Sequence, residues 1–292
     1  LYLNIKKNNK CFSFEWSFLL IVAILVHFYI FAMVFVLWIP SLLDRAFRLG
    51  KAYFFNLLSE FFLTIVLLGF IAWQAGYFEV STSSASEWGY GQFRFNLFSP
   101  LYPMGWSKIN LIPPVFQDFE SFNYAGLGVI FIWILGASFI WKSRVLIALF
   151  IREHKFFMLS LVCLLLYALS NNVSVGGYTH SIRLPDSWAT YLNILRHSNR
   201  MFWPVFYVLL AGSIFLIVIN IKSSSFVIAI FVAALIIQVY DTSPGWLWLR
   251  NSLMFPSPPE YGTPLQNSFW ANAAKKYKKI VKIPIQNKPS LW

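Results

Sequence analysis

The sequence predicts an all-α polytopic membrane protein, and three observations carry that reading. Of 292 residues, 58% are hydrophobic and only 12% charged, with a mean hydropathy of +0.62. A soluble domain runs near about 45–50% apolar and about 25% charged, so half the usual charge is missing. Phenylalanine (31) and tryptophan (13) stand in its place. Six apolar stretches, 16–38, 54–73, 125–141, 156–170, 201–219 and 226–240, approach the ~20 residues a helix needs to cross a ~30 Å hydrocarbon core. Trp16, Trp38, Trp73 and Trp141 sit at their ends, where interfacial aromatics belong. Disordered, collagen-like and disulfide-scaffold classes are excluded, since Cys11 and Cys163 form neither a CxxC spacing nor a framework. The lipid bilayer is the expected partner. The net charge of +12 is read from its placement beside the spans, and no nucleic acid is expected.

The order of the elements follows from those stretches. The first is too long for a secretory signal and lacks a small-residue cleavage site. Arg45, Arg48 and Lys51 follow it; Lys142, Arg144, Arg152 and Lys155 follow the third stretch, and Lys222 the fifth. The longer connections 74–124 and 171–200 hold only Arg94, Lys108, Arg183, Arg196 and Arg200. The first set therefore reads as cytoplasmic and the two long loops as outer. Six crossings place 1–15 and 241–292 outside as well, against which Lys6, Lys7, Lys10 and the lysines from Lys275 to Lys282 count. An outer N-terminus and a Leu at position 1 lead to the expectation of a C-terminal fragment lacking an odd number of earlier spans.

Between Trp88 and Gly128 four prolines, Pro100, Pro103, Pro113 and Pro114, forbid a long helix. Eleven aromatic residues from Trp88 to Tyr124 make this an ordered outer loop folded onto the bundle. After Asp241, Pro244, Pro256, Pro258, Pro259 and Pro264 mark a linker. Helical spacing then returns over Ser268 to Tyr277, and Lys279-Ile-Val-Lys-Ile-Pro284 reads as a strand, the start of a small outer α/β domain.

Two stretches carry a resemblance. Phe95-Asn-Leu-Phe-Ser-Pro-Leu-Tyr-Pro-Met-Gly-Trp-Ser107 followed by Glu120-Ser-Phe-Asn-Tyr-Ala-Gly-Leu-Gly128 is the first. The second is Leu184-Pro185, a helix, Arg196, then Asn199-Arg200-Met-Phe-Trp-Pro-Val-Phe-Tyr207 and Gln238-Val-Tyr-Asp241. From 88 to 241 the chain resembles an uncharacterised bacterial inner-membrane family, domain of unknown function 6311. The resemblance implies a GT-C-like helix bundle that transfers a sugar from a polyprenyl-phosphate carrier to a glycan or lipid acceptor on the outer face. Such enzymes hold their catalytic carboxylate in the first outer loop, a motif with no match here, and Arg196-His-Ser-Asn-Arg200 stands where small residues are usual. The rival is a non-enzymatic transporter or flippase of lipid-linked glycans.

Transfer from a lipid-linked donor needs cations for the departing phosphate and a carboxylate for the acceptor hydroxyl. Arg200, at the mouth of the fifth stretch, is the first choice for the phosphate, with Arg94 and Arg183 beside it and Arg196 after them. Each could equally be an ordinary snorkelling arginine. Asp118, Glu120 and Asp241, with Asp186, are the outer carboxylates. Glu60 lies within a span and reads as the structural partner of Arg45 or Arg48. His27, His154, His180 and His197 lack metal-site spacing; no metal site is expected and no cofactor is identified. Nor is there a GxGxxG, GKS/T, HExxH or GxSxG motif.

Overall fold

A long apolar run can cross a bilayer once or fold back on itself, and composition does not distinguish the two. The computed structural model describes residues 2–3, 13–50, 53–79, 89–109, 121–254 and 267–277, and it resolves the first run into a hairpin. Helix α1 (Phe14–Val26) ends at His27, whose backbone is extended (φ −167°, ψ 129°), and α2 (Phe28–Leu49) begins there. The imidazole caps the second helix, its Nδ1 accepting from the Tyr29 amide at 3.1 Å. Trp16 Nε1 donates to Ser41 Oγ at 3.0 Å. In one continuous helix those atoms would stand about 37 Å apart, so α1 runs back along α2.

The expected single span 16–38 is therefore corrected to an antiparallel pair. The reversal brings Ser13 to the Arg45 end of the bundle, where its amide donates to Glu60 Oε2 at 3.0 Å. Tyr2 stacks at 4.9 Å on Phe157 at that same end.

Helix α3 (Phe54–Gln74) closes this first group. It ends near the hairpin tip, where Tyr77 Oη donates to Ile24 O at 2.9 Å. Trp16, Leu20, Ile24, Trp38, Leu68 and Ala72 make its buried core. Glu60 and Arg45 pair as the sequence suggests, with two contacts of 2.7 Å between side chains 0% and 1% exposed.

The second group packs α4 (Leu127–Ser138) against α8 (Trp203–Asn220) and α9 (Ser224–Asp241). Small residues allow the close approach. A Cβ on Gly128 would fall 2.2 Å from the Ala234 carbonyl, and one on Gly136 2.6 Å from Ser213 Cβ. Helices α5 (Arg144–Glu153) and α6 (Lys155–Leu169) join the groups. Met33, Phe95, Leu164, Ala168, Met201 and Phe202 form the core between α2, α6 and the segments around Phe95 and Met201.

Among the described residues, four helices are long and apolar enough to cross a membrane: α2, α3, the run Ser198–Asn220 containing α8, and α9. Helices α1, α4 and α6 are apolar but shorter. The described protein is thus mostly helical and multi-pass in character, with exposed apolar side chains such as Phe55, Val66 and Leu235 facing outward where lipid would lie.

The all-α expectation misses one small sheet. Strands β1 (Asn172–Val175) and β2 (Tyr178–Ser181) pair antiparallel, Val175 opposite Tyr178, across Gly176-Gly177. Gly176 holds φ 59°, the positive value that two-residue hairpin turns require. Helix α7 (Asp186–Leu192) follows, as the sequence suggests after Pro185.

The chain divides into units Leu1–Pro244 and Gly245–Trp292. Residues Ser243–Met254, read as proline-marked linker, form helix α10; Pro244 falls in its first turn, where the missing N–H costs little. Within the second unit the expected helix is present as α11 (Ser268–Lys276), capped by the Asn267 side chain accepting from Phe269 N at 2.9 Å. The expected strand 279–284 lies outside the described residues.

Candidate functional site

At the end of the bundle opposite Arg45 the irregular segment 89–109 is tied to the β-hairpin. Asn96 bridges to Ser174, and Leu97 N donates to Ser174 O at 3.0 Å. The Asn96 amide group clasps the turn, donating to Gly176 O at 2.8 Å and accepting from Gly176 N at 3.0 Å. Arg94 completes the bracket: its guanidinium donates to Ser174 Oγ, to Gly91 O at 3.0 Å and to Thr179 Oγ1 at 3.0 Å. The structure thus places Arg94, a sequence candidate for phosphate, as the tie between loop and hairpin, with most of its donors already used.

Arg200 is placed differently. It lies in the 3-10 turn Ser198–Phe202 that leads into α8, and its neighbours are buried and clamped. Asn199 N donates to Phe93 O at 3.1 Å, and Ser198 Oγ to Ala168 O at 3.2 Å. His197 N donates to Tyr29 Oη at 2.9 Å, while its ring stacks on Phe93 at 4.5 Å and 13°. Held by that frame, the half-buried Arg200 side chain lays its guanidinium 5.0 Å from the Tyr29 ring centre. No acidic side chain among the described residues pairs with it. Arg196 stands 6.0 Å from the Phe93 ring. Tyr29, His197 and Phe93 therefore bring two guanidinium groups to one mouth at the start of α8, where the helix dipole adds further positive potential. Arg183 is exposed beyond β2 and joins no contact with Arg200 among the described residues.

Asp241, the third carboxylate candidate, is 1% exposed at the end of α9. It accepts from the Ser107 hydroxyl, from Tyr124 Oη at 2.7 Å and from the Leu127 amide at 3.0 Å, and its carbonyl accepts from Lys108 N at 2.9 Å. A carboxylate at the N-terminus of α4 suits that helix's positive end. Burial, and then donation to Asp241, push the Tyr124 phenol up to about 12. The structure places Asp241 as the staple that fastens Ser107, Tyr124 and Leu127 to α9, not at the arginine mouth. Asp118 and Glu120 lie outside the described residues, as does the Asp186 side chain.

Three contributors to the mouth were not singled out from the sequence. Tyr29 lies inside a run that reads as one crossing, Phe93 inside an aromatic-rich loop, and His197 reads as an ordinary loop imidazole. The signal available was a His and a Tyr two positions apart within an apolar run, polar groups that a continuous lipid-facing helix would have to hide.

A family model described as Domain of unknown function (DUF6311) matches residues 1–243, which include both helix groups and every residue of the mouth. The chain belongs to the DUF6311 family. No curated protein and no solved structure matches it. Within this DUF6311 protein the matched stretch ends two residues after Asp241, so the Asp241 staple and the arginine mouth both fall inside the family's span.

Proposed function

We propose that this DUF6311 protein binds a polyprenyl-phosphate carrier at the mouth formed by Arg200, Arg196 and Tyr29, and transfers the attached sugar to a glycan or lipid acceptor on the outer face of a bacterial inner membrane, as GT-C-like glycosyltransferases do. One observation carries the reading: the Arg200 guanidinium is fixed at the head of a membrane-length helix, half-buried, with no acidic partner among the described residues. A guanidinium there can take a lipid phosphate bidentately while the isoprenoid tail runs down the apolar helix faces. Breaking the sugar–oxygen bond places negative charge on the departing phosphate, and a cation already in position stabilises that charge most where water is scarce. The Arg200 mouth is separated from the cation-rich Arg45 end by the length of α2; Tyr29 and Arg45 are about 24 Å apart along that helix. In this proposal Asp118 and Glu120 remain the carboxylates available to the acceptor, because Asp241 would have to give up Ser107 or Tyr124 to act as a base.

The test is transfer of label from a radiolabelled polyprenyl-phosphate sugar in proteoliposomes supplied with a glycolipid extract. Arg200→Ala is expected to reduce the rate about 10²–10³-fold, the loss seen when one stabilising donor is removed. An unchanged rate would remove Arg200 from the chemistry. Label found on the opposite leaflet with its sugar–phosphate bond intact would assign transport instead.

A further inference from the structure

Helix α5 takes no part in the Arg200 mouth, and nothing in its packing explains why it is helical. None of its residues is buried, and it is about 15 Å long, half of what a crossing needs. Its two ends are nevertheless fixed at one level of the bundle. At the near end, Asn220 at the foot of α8 donates to Ser143 Oγ at 2.9 Å. At the far end, Lys155 lies 5.7 Å from the ring of Phe47, near the foot of α2, and Phe156 stacks on Phe47 at 5.3 Å. The helix therefore runs sideways across the Arg45 end, from the foot of one helix group to the foot of the other.

Its sequence matches that position. In RVLIALFIRE, Arg144, Ala148 and Arg152 recur at four-residue spacing on one face, while Leu146, Leu149 and Phe150, all exposed, share the opposite face. Lys142 and Lys155 flank it, and Arg144 stacks over Trp141 at 4.6 Å. Against these four cations the helix holds one acidic residue, Glu153. A short helix with an apolar face, a basic face and an aromatic anchor, pinned at the level of the span ends, has the composition of a segment lying in a membrane surface.

We infer that α5 lies in the plane of the bilayer surface and binds anionic phospholipid headgroups through Lys142, Arg144, Arg152 and Lys155, its apolar residues sinking between the acyl chains. The occupant is lipid rather than a second protein because both features of the helix, exposed aliphatic side chains and an excess of cations at one depth, are answered together only by an anionic interface.

The test uses the full chain in mixed micelles and vesicles. Binding of a fluorescent phosphatidylglycerol probe is compared with that of a phosphatidylcholine probe for the wild type and for Lys142→Gln/Arg144→Gln/Arg152→Gln. The wild type should prefer phosphatidylglycerol, and the triple variant should lose about tenfold or more of that preference. Independently, nitroxide labels placed singly from 145 to 151, in a Cys11→Ser/Cys163→Ser background, should report a lipid-contact pattern with helical period around a constant depth. Equal binding of the two probes, or an unchanged preference in the variant, would overturn the lipid assignment. Labels that deepen steadily along the helix would overturn the in-plane placement, and labels shielded from both water and lipid would show that another protein surface covers α5.

Discussion

Replacing Arg45 with Met will lower the stability of the protein by about 3–5 kcal/mol, the cost of stranding one member of a buried ion pair. Both Arg45 Nη atoms donate to Glu60 at 2.7 Å, and Arg45 Nε donates to Ser41 O at 3.1 Å. Glu60 also accepts the Ser13 amide, so the carboxylate ties α1, α2 and α3 into one group. Without Arg45, Glu60 must stay charged and unpaired or take up a proton, and either state loses the clamp on the N-terminal hairpin. Replacing both residues, as Arg45→Met/Glu60→Leu, should recover most of the loss, because an apolar pair of similar volume needs no desolvation. Unfolding in mixed micelles titrated with a denaturing detergent measures both variants. A loss below about 1 kcal/mol in the single variant, or a double variant no better than the single, would show that the pair does not hold the hairpin.

The second large effect concerns helix contact without charge. Gly128→Ala will cost about 3 kcal/mol, at the upper end for overpacking. The new methyl would meet the Ala234 carbonyl at 2.2 Å and the Gln238 amide nitrogen at 2.9 Å, both backbone atoms that no rotamer change can move. Helix α4 would have to withdraw from α9, straining the Leu127–Asp241 hydrogen bond at its first turn. Gly212→Ala on α8 is the control. Nothing lies within 4 Å of its added methyl, so it should be neutral or gain up to about 1 kcal/mol from helix propensity. The same unfolding titration distinguishes the two, and equal effects would contradict the close α4–α9 approach.

Several elements were legible in the sequence for reasons that survive folding. Helices α3, α8 and α9 are apolar stretches bounded by polar or charged residues, so hydropathy alone locates them. The Arg45–Glu60 pair was legible because an ionisable group within a span must find a partner at its own depth, and few were available. The reversal at His27 was not, since a hairpin of two apolar helices and one long crossing have the same composition; the decision lies in Trp16–Ser41 and Ser17–Thr64, contacts between positions 25 and 47 residues apart. The β-hairpin did leave a signal in Gly176-Gly177 between Val175 and Tyr178, outweighed by the surrounding apolar helices.

The candidate site divides along the same line. Arg200 could be chosen because a cation at the head of a span is a local feature. Arg94 could not be separated from it by sequence, because the acceptors that occupy Arg94, Ser174 and Thr179, lie 80 and 85 positions further along. Asp241 read as a free carboxylate after a span, whereas Ser107 and Tyr124 fold back more than a hundred positions to claim it.

The most direct measurement is the affinity of the purified protein for a polyprenyl phosphate and for the matching polyprenol, which differs only in lacking the phosphate. The phosphate lipid should bind about tenfold or more tightly, as a charge-assisted contact of about 1.5–3 kcal/mol requires, and Arg200→Ala should erase that difference while leaving polyprenol binding unchanged. Equal affinity for the two lipids in the wild type, or a phosphate preference that survives in Arg200→Ala, would contradict the assignment of the mouth.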